Sequence, residues 1–138
     1  MSYLFDTDAI SEVWRPRPSK AYLKWLDGLP LESQYASAVS VGELYKGAYR
    51  SANAERYLTY IEERLLPTVT VLPYDVAVAK VFGQIRAALE SQGKVLEDAD
   101  LQIAATAIHH GLELVTGNVS HFERVPGLTL NGALAQAR

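Results

Sequence analysis

The sequence predicts an α/β fold, a central and mainly parallel sheet flanked by helices, and three observations carry that reading. Short apolar runs alternate along the chain with longer stretches of helical periodicity, which implies crossover connections and helices on both faces of the sheet. Thr68 to Leu72 is β-branched and unbroken, the pattern of a buried parallel strand. Leu96 to Gly111 reads as a core helix of small apolar residues, entered through Asp98 and Asp100 and stopped by a glycine.

In chain order, Tyr3-Leu4-Phe5 is a strand that ends at Asp6, and Asp8 is placed to cap a helix reaching about Trp14. Arg15-Pro16-Arg17-Pro18 breaks that helix. Ser19 caps the next one, whose apolar side carries Tyr22, Trp25, Leu26 and Leu29. Tyr35 to Val39 is a second strand, and Ser40 starts a helix with Glu43, Leu44 and Tyr45. A further helix spans about Asn53 to Leu66, with Leu58, Ile61 and Leu65 at helical spacing. After the strand at 68–72, Asp75 caps a long helix ending near Gly93. The core helix and a strand at Leu112 to Val115 follow, then a loop with Asn118 and Phe122, and a last strand at Leu128 to Leu130. No repeat, linker or low-complexity tract interrupts the 138 residues, so one domain over 1–138 is expected.

Composition excludes several classes of function. The chain has no cysteine, which removes disulfides, thiol nucleophiles and thiolate zinc sites together. Its net charge of −3 does not suit a protein that coats nucleic acid by bulk charge. No apolar run spans a bilayer and no leader opens the sequence, so a cytoplasmic protein without membrane contact is expected.

The candidate chemistry lies in acids far apart in sequence that fall at strand ends or helix starts. These are Asp6, Glu43 and Asp100, with Asp98, Asn118 and Ser40 as possible additions. In a doubly wound sheet such positions meet at the carboxyl edge, where ligands bind. Carboxylates brought together repel unless a cation offsets them, and an all-oxygen set suits a hard ion such as Mg²⁺ or Mn²⁺. A divalent ion held there activates water and stabilises charge developing on a phosphate under in-line attack.

Simpler roles compete for each acid. Asp6 suits the plain end of a strand, and Ser40-Val41-Gly42-Glu43 fits a capping box. Asp98 and Asp100 stand roughly 200° apart on a helix, so one of them, Asp98, is the natural N-cap. His109 and His110 have no partner at zinc spacing, and Trp14, Trp25 and Tyr22 read as core or interface. Arg15, Arg17, Lys46 and Arg50 form a candidate rim for a phosphate backbone.

The same residues resemble the PIN-domain ribonucleases, in particular the VapC toxins of toxin–antitoxin pairs. The matching pieces are Asp6-Thr7-Asp8 after the first strand, Ser40-Val41-Gly42-Glu43-Leu44 with Gly47, Asp100 to Ala107, and Leu114-Val115-Thr116-Gly117-Asn118 followed by Phe122. Their order and separation fit over essentially the full length. The resemblance implies a PIN-like α/β/α sandwich with Asp6, Glu43 and Asp100 as the metal-binding acids. It places a fourth acid near Asn118 or His121, where this chain is neutral. Asn118 is left to hold a water and Asp98 to supply the missing charge. It further implies Mg²⁺- or Mn²⁺-dependent endonucleolytic cleavage of RNA, typically tRNA or ribosomal RNA. The implied partners are a second copy of the chain and a VapB-like antitoxin covering the acidic pocket. Two rival readings are an aspartyl-phosphate phosphatase, suggested by Asp6-Thr7-Asp8, and a catalytically weak PIN-fold protein that binds or processes RNA.

Overall fold

A computed structural model describes all of residues 1–138. β1 (Tyr3–Phe5) forms the middle of a five-stranded sheet with β2 (Gln34–Ser37), β3 (Thr70–Leu72), β4 (Glu113–Val115) and β5 (Leu130–Asn131). The spatial order is β3-β2-β1-β4-β5, and every neighbouring pair is parallel. The chain therefore builds outward from β1 to one edge and then returns to β1's other side to build the second half. The point of reversal lies between β1 and β4, whose registers align Tyr3 with Glu113 and Phe5 with Val115. Loops leaving β1 and β4 diverge there and leave a crevice at the carboxyl end of the sheet.

The pleat splits the core in two. Leu4 and Leu114 point to a layer made by α5 (Val76–Ser91) and α6 (Asp98–His110), where they meet Val78, Leu89, Leu101 and Ile103. Tyr3, Phe5 and Val115 point to the other layer, with Ile10 of α1 (Thr7–Glu12), Tyr22 of α2 (Lys20–Asp27) and Leu44 of α3 (Ala38–Arg50). Ile61, in a π-helical turn that continues α4 (Ala54–Thr59), and Leu134 of α8 (Ala133–Ala137) complete it. The small residues expected to bury α6 do so: Ala104, Ala105 and Ala107 are all wholly inaccessible.

Several element starts differ from the sequence expectation, each for a local reason. Asp6, not Asp8, caps α1. Its backbone is extended, and its Oδ1 accepts from the Ala9 N–H at 2.7 Å, so strand passes to helix within one residue. α3 likewise starts early, capped by Ser37, whose hydroxyl accepts from the Val39 N–H at 3.0 Å. Ser40 is then inside the first turn, and the capping box with Glu43 does not form. Glu97, without a side-chain bond, stands at the N-cap of α6, and Asp98 is its first helical residue. β3 is an edge strand with Thr70 and Val71 exposed, because β-branched composition does not distinguish an edge from a centre.

Ser19, Asp75 and Gly111 behave as expected. Gly111 ends α6 at φ +66°, and nothing lies within 4 Å of where a β-carbon would sit. Gly111→Ala therefore isolates the cost of the left-handed backbone. A loss of about 1 kcal/mol is expected in chemical denaturation, with the site untouched.

Candidate active site

The two strands that flank the reversal point each end in a buried polar residue, Asp6 after β1 and Thr116 after β4. Asp6 is 6% exposed and pairs with no cation. Burial pushes its carboxyl up to about 6; the Thr116 hydroxyl and the Ala9 N–H pull it down, and the charges of Asp8 and Asp100 push it up again. Asp8 and Asp100 are thus each near enough for their charge to act on Asp6. Thr116 also accepts the Asn118 N–H at 3.0 Å, which folds the loop after β4 back over the strand end.

The other acids are each held by a neighbour. Glu43, on α3, accepts from the Thr7 hydroxyl at 2.6 Å, which brings it beside the residue that follows Asp6. Asp100, in the first turn of α6, lies 3.0 Å from His121 Nε2, contributed by α7 (Val119–Phe122). Asp98 departs from the expectation: it pairs with Arg86 of α5 on the outer side of α6 and takes no part in this cluster. Asn118 is exposed at the N-cap of α7 and makes no side-chain cap bond.

Ser40 stands one turn before Glu43. Its hydroxyl is the one buried side-chain polar atom in the chain without a hydrogen-bond partner.

A second set of charges adjoins the first and was missed in the sequence. Asp8 and Glu12 sit one turn apart on α1, and Arg138 bridges both. Its Nη1 and Nη2 reach Asp8 at 2.8 and 2.9 Å, and Nη2 reaches Glu12 at 2.9 Å. Arg15 adds contacts of 3.1 Å to Asp8 and 3.2 Å to Glu12. Glu12 is almost wholly buried and also accepts the Ser19 N–H at 2.9 Å. Burial would raise its carboxyl, but the Ser19 N–H and the two guanidiniums prevail and hold it below its ordinary value. The available signal was the i,i+4 spacing of Asp8 and Glu12, with Arg15 in the turn just after that helix. Nothing in the sequence pointed to Arg138, which lies 130 positions from Asp8.

Arg15, expected on a phosphate rim, is therefore engaged with acids, whereas Arg17, Lys46 and Arg50 are exposed and pair with no acid. Beside the site, α1 and α2 border a groove of about 890 Å³ lined mainly by apolar residues, among them Ile10, Trp14 and Tyr60, with Arg56 and Arg64 also in its wall. Both arginines lie over the Tyr60 ring, and Trp14 stacks against it.

The donor chemistry fits a hard cation. Asp6, Glu43 and Asp100 offer only oxygen, Asp6 is buried without compensating charge, and the Ser40 hydroxyl lacks a partner. No three acids or histidines converge on a common point by themselves. Each carboxylate is held by Ala9, Thr7 or His121 instead.

Comparison with known proteins gives the family of this fold. The PIN domain family model matches residues 3–128. The chain is 38% identical over 124 residues to toxin FitB of Neisseria gonorrhoeae, covering 86% of this chain and 89% of that protein. It is 36% identical over 128 residues to ribonuclease VapC2 of Haemophilus influenzae, covering 93% and 95%. Among solved structures, FitAcB from Neisseria gonorrhoeae superposes with a TM-score of 0.85 at 36% identity, over 94% of this chain and 96% of that one. DNA-bound VapBC from Salmonella typhimurium gives 0.85 at 30% identity, over 95% and 97%. The chain belongs to the PIN-domain family, in its VapC branch.

Proposed function

We infer that this chain is a Mg²⁺- or Mn²⁺-dependent endoribonuclease and the toxin of a toxin–antitoxin pair. The observation that carries the reading is the buried, uncompensated Asp6 at the reversal point of the sheet, with the charge of Asp100 close by and Glu43 tied to the next residue. Asp6, Glu43 and Asp100 would hold the ion. When bound, it supplies activation of water and stabilisation of charge on the scissile phosphate.

The chain's own residues do the rest. The Ala9 N–H and the Thr116 hydroxyl fix the Asp6 carboxylate, and Thr7 aims Glu43. His121 orients Asp100 through Nε2. Ser40 and Asn118 are supporting groups, and Arg17, Lys46 and Arg50, exposed and without an acid partner, are available to an RNA backbone.

Relatives named ribonuclease VapC and tRNA(fMet)-specific endonuclease VapC support RNA as substrate, with a structured RNA such as tRNA or ribosomal RNA as its class. Solved FitAB and VapBC complexes support an antitoxin partner. The apolar groove beside α1 is its seat in this reading, and a homodimer is the working assembly. An aspartyl-phosphate phosphatase finds no support, since the matched family is one of nucleases and no lysine contacts Asp6.

The test is cleavage of a folded RNA by the purified chain. Activity should vanish in EDTA, return with Mg²⁺ or Mn²⁺, and be suppressed by the co-purified antitoxin. Undiminished cleavage in EDTA would overturn the metal role, and no cleavage with either ion would favour a catalytically inactive binding protein.

A further inference from the structure

The guanidinium of Arg138 spends four of its five N–H donors on two acids. Its Nη1 and Nη2 grip Asp8 as a two-pronged fork, and its Nη2 and Nε, the latter at 3.3 Å, reach Glu12. Arg15 fills the remaining approach to both acids. Every oxygen of Asp8 is therefore taken by a cation the chain itself provides, and Glu12 has its second oxygen on the Ser19 N–H.

The loop after β4 is built around this contact. A β-carbon at Gly117 would collide with the Arg138 guanidinium and lie 2.6 Å from Asp8 Oδ2, so alanine there would make both side-chain ends shift. α8 packs on α2, and Ser19 Oγ donates to the Ala137 carbonyl at 3.2 Å, which sets the residue before Arg138 beside the start of α2.

Asp8 is nonetheless two residues from Asp6, and its Oδ2 lies against Gly117, which follows the buried Thr116 at the end of β4. Released from Arg138, it would be a second anionic oxygen donor beside the first. A Mg²⁺ or Mn²⁺ ion needs one or two carboxylates and keeps the rest of its shell as water. Asp8 is the one acid next to Asp6 that is both part-exposed and already neutralised from within.

We propose that Arg138 is a positioning residue that acts as the resident counter-ion of Asp8, withholding it from the metal set so that the pocket takes one divalent ion instead of two. The proposal rests on the metal-dependent reading above. It divides the acids into two groups by partner: Asp6, Glu43 and Asp100 for the ion, Asp8 and Glu12 for the arginine. The role is specific to Arg138, because Arg15 is half exposed and meets Asp8 through a single nitrogen.

The test counts bound Mn²⁺ by electron paramagnetic resonance on the full chain without RNA, so that it does not depend on catalysis. The wild type should bind one ion per chain, and Arg138→Gln should bind two. Gly117→Ala provides an independent route, since it keeps both charges but pushes the Arg138 guanidinium and the Asp8 carboxylate out of their fork, and it should also bind two. It covers the case in which Arg138→Gln fails to fold. Two ions on the wild type, or one ion of unchanged affinity on a folded variant, would overturn the role of Arg138 while leaving the metal site in place. No ion on any of the three proteins would overturn the metal-dependent reading itself, and this inference with it.

Discussion

Asp6→Asn should abolish RNA cleavage and at the same time make the metal-free protein more stable. Loss of an outer partner of a metal ligand typically costs 10–100-fold, so loss of a ligand itself should cost more than about 100-fold in kcat/KM. The gain in stability follows from burial. Asp6 is 6% exposed, has no cationic partner, and folds with its carboxyl pushed up to about 6. At neutral pH the native state therefore retains a charge that its surroundings disfavour, at a cost of about 2–3 kcal/mol. Asparagine keeps the oxygen that accepts the Ala9 N–H and is as good a helix cap as aspartate. It removes the charge and turns the second carboxylate oxygen into a donor.

Thermal melts should show the variant above the wild type without divalent ions by about 1–3 kcal/mol. Mg²⁺ should then raise the wild type and not the variant, because an ion that binds the native state stabilises it by mass action. A variant that cleaves at the wild-type rate, or that is less stable than the wild type in EDTA, would remove Asp6 from its assigned place.

The parts of this site that could be read in the sequence are those whose position follows from periodicity. β1 with Asp6 behind it, α6 with its aspartates and alanines, and β4 leading to Thr116 and Asn118 are all set by where apolar runs stop, and the topology then brings their ends together. Glu43 was ambiguous because a capping box and a pocket acid have the same local spacing. What decides between them is that Ser37 takes the cap and Thr7, 36 residues away, takes the carboxylate. Asp98 failed for a similar reason: Arg86 on the preceding helix offers a nearer partner than the pocket does. His121 marked a missing acid in the sequence, and in the fold it is the group that holds Asp100. The Asp8–Glu12–Arg138 cluster was out of reach, since no local pattern ties α1 to a residue beyond α8.

That cluster also makes Glu12 the second large effect. Its carboxylate joins α1 to the N-terminus of α2 through Ser19 and to the far end of the chain through Arg138. Glu12→Ala leaves a buried N–H without its acceptor and removes the buried half of an ion pair, a change that costs about 3 kcal/mol at the low end for such pairs because Arg138 stays part-exposed. Glu12→Gln keeps the shape and one acceptor and isolates the charge.

The sign of the pH dependence follows from the folded carboxyl lying below its ordinary value. A depressed pKa means the charged form is favoured by folding. The stabilisation is full above the unfolded glutamate value, 4.5, and is lost as the pH falls through the lower folded value. Urea denaturation should therefore find wild type well above Glu12→Gln at pH 7, with the gap closing only as the pH falls below 4.5 and the wild-type carboxyl takes up its proton. A gap that stays constant from pH 7 to pH 3 would mean that Glu12 contributes packing and not charge. The latch between the two ends of the chain would then owe nothing to its ion pairs.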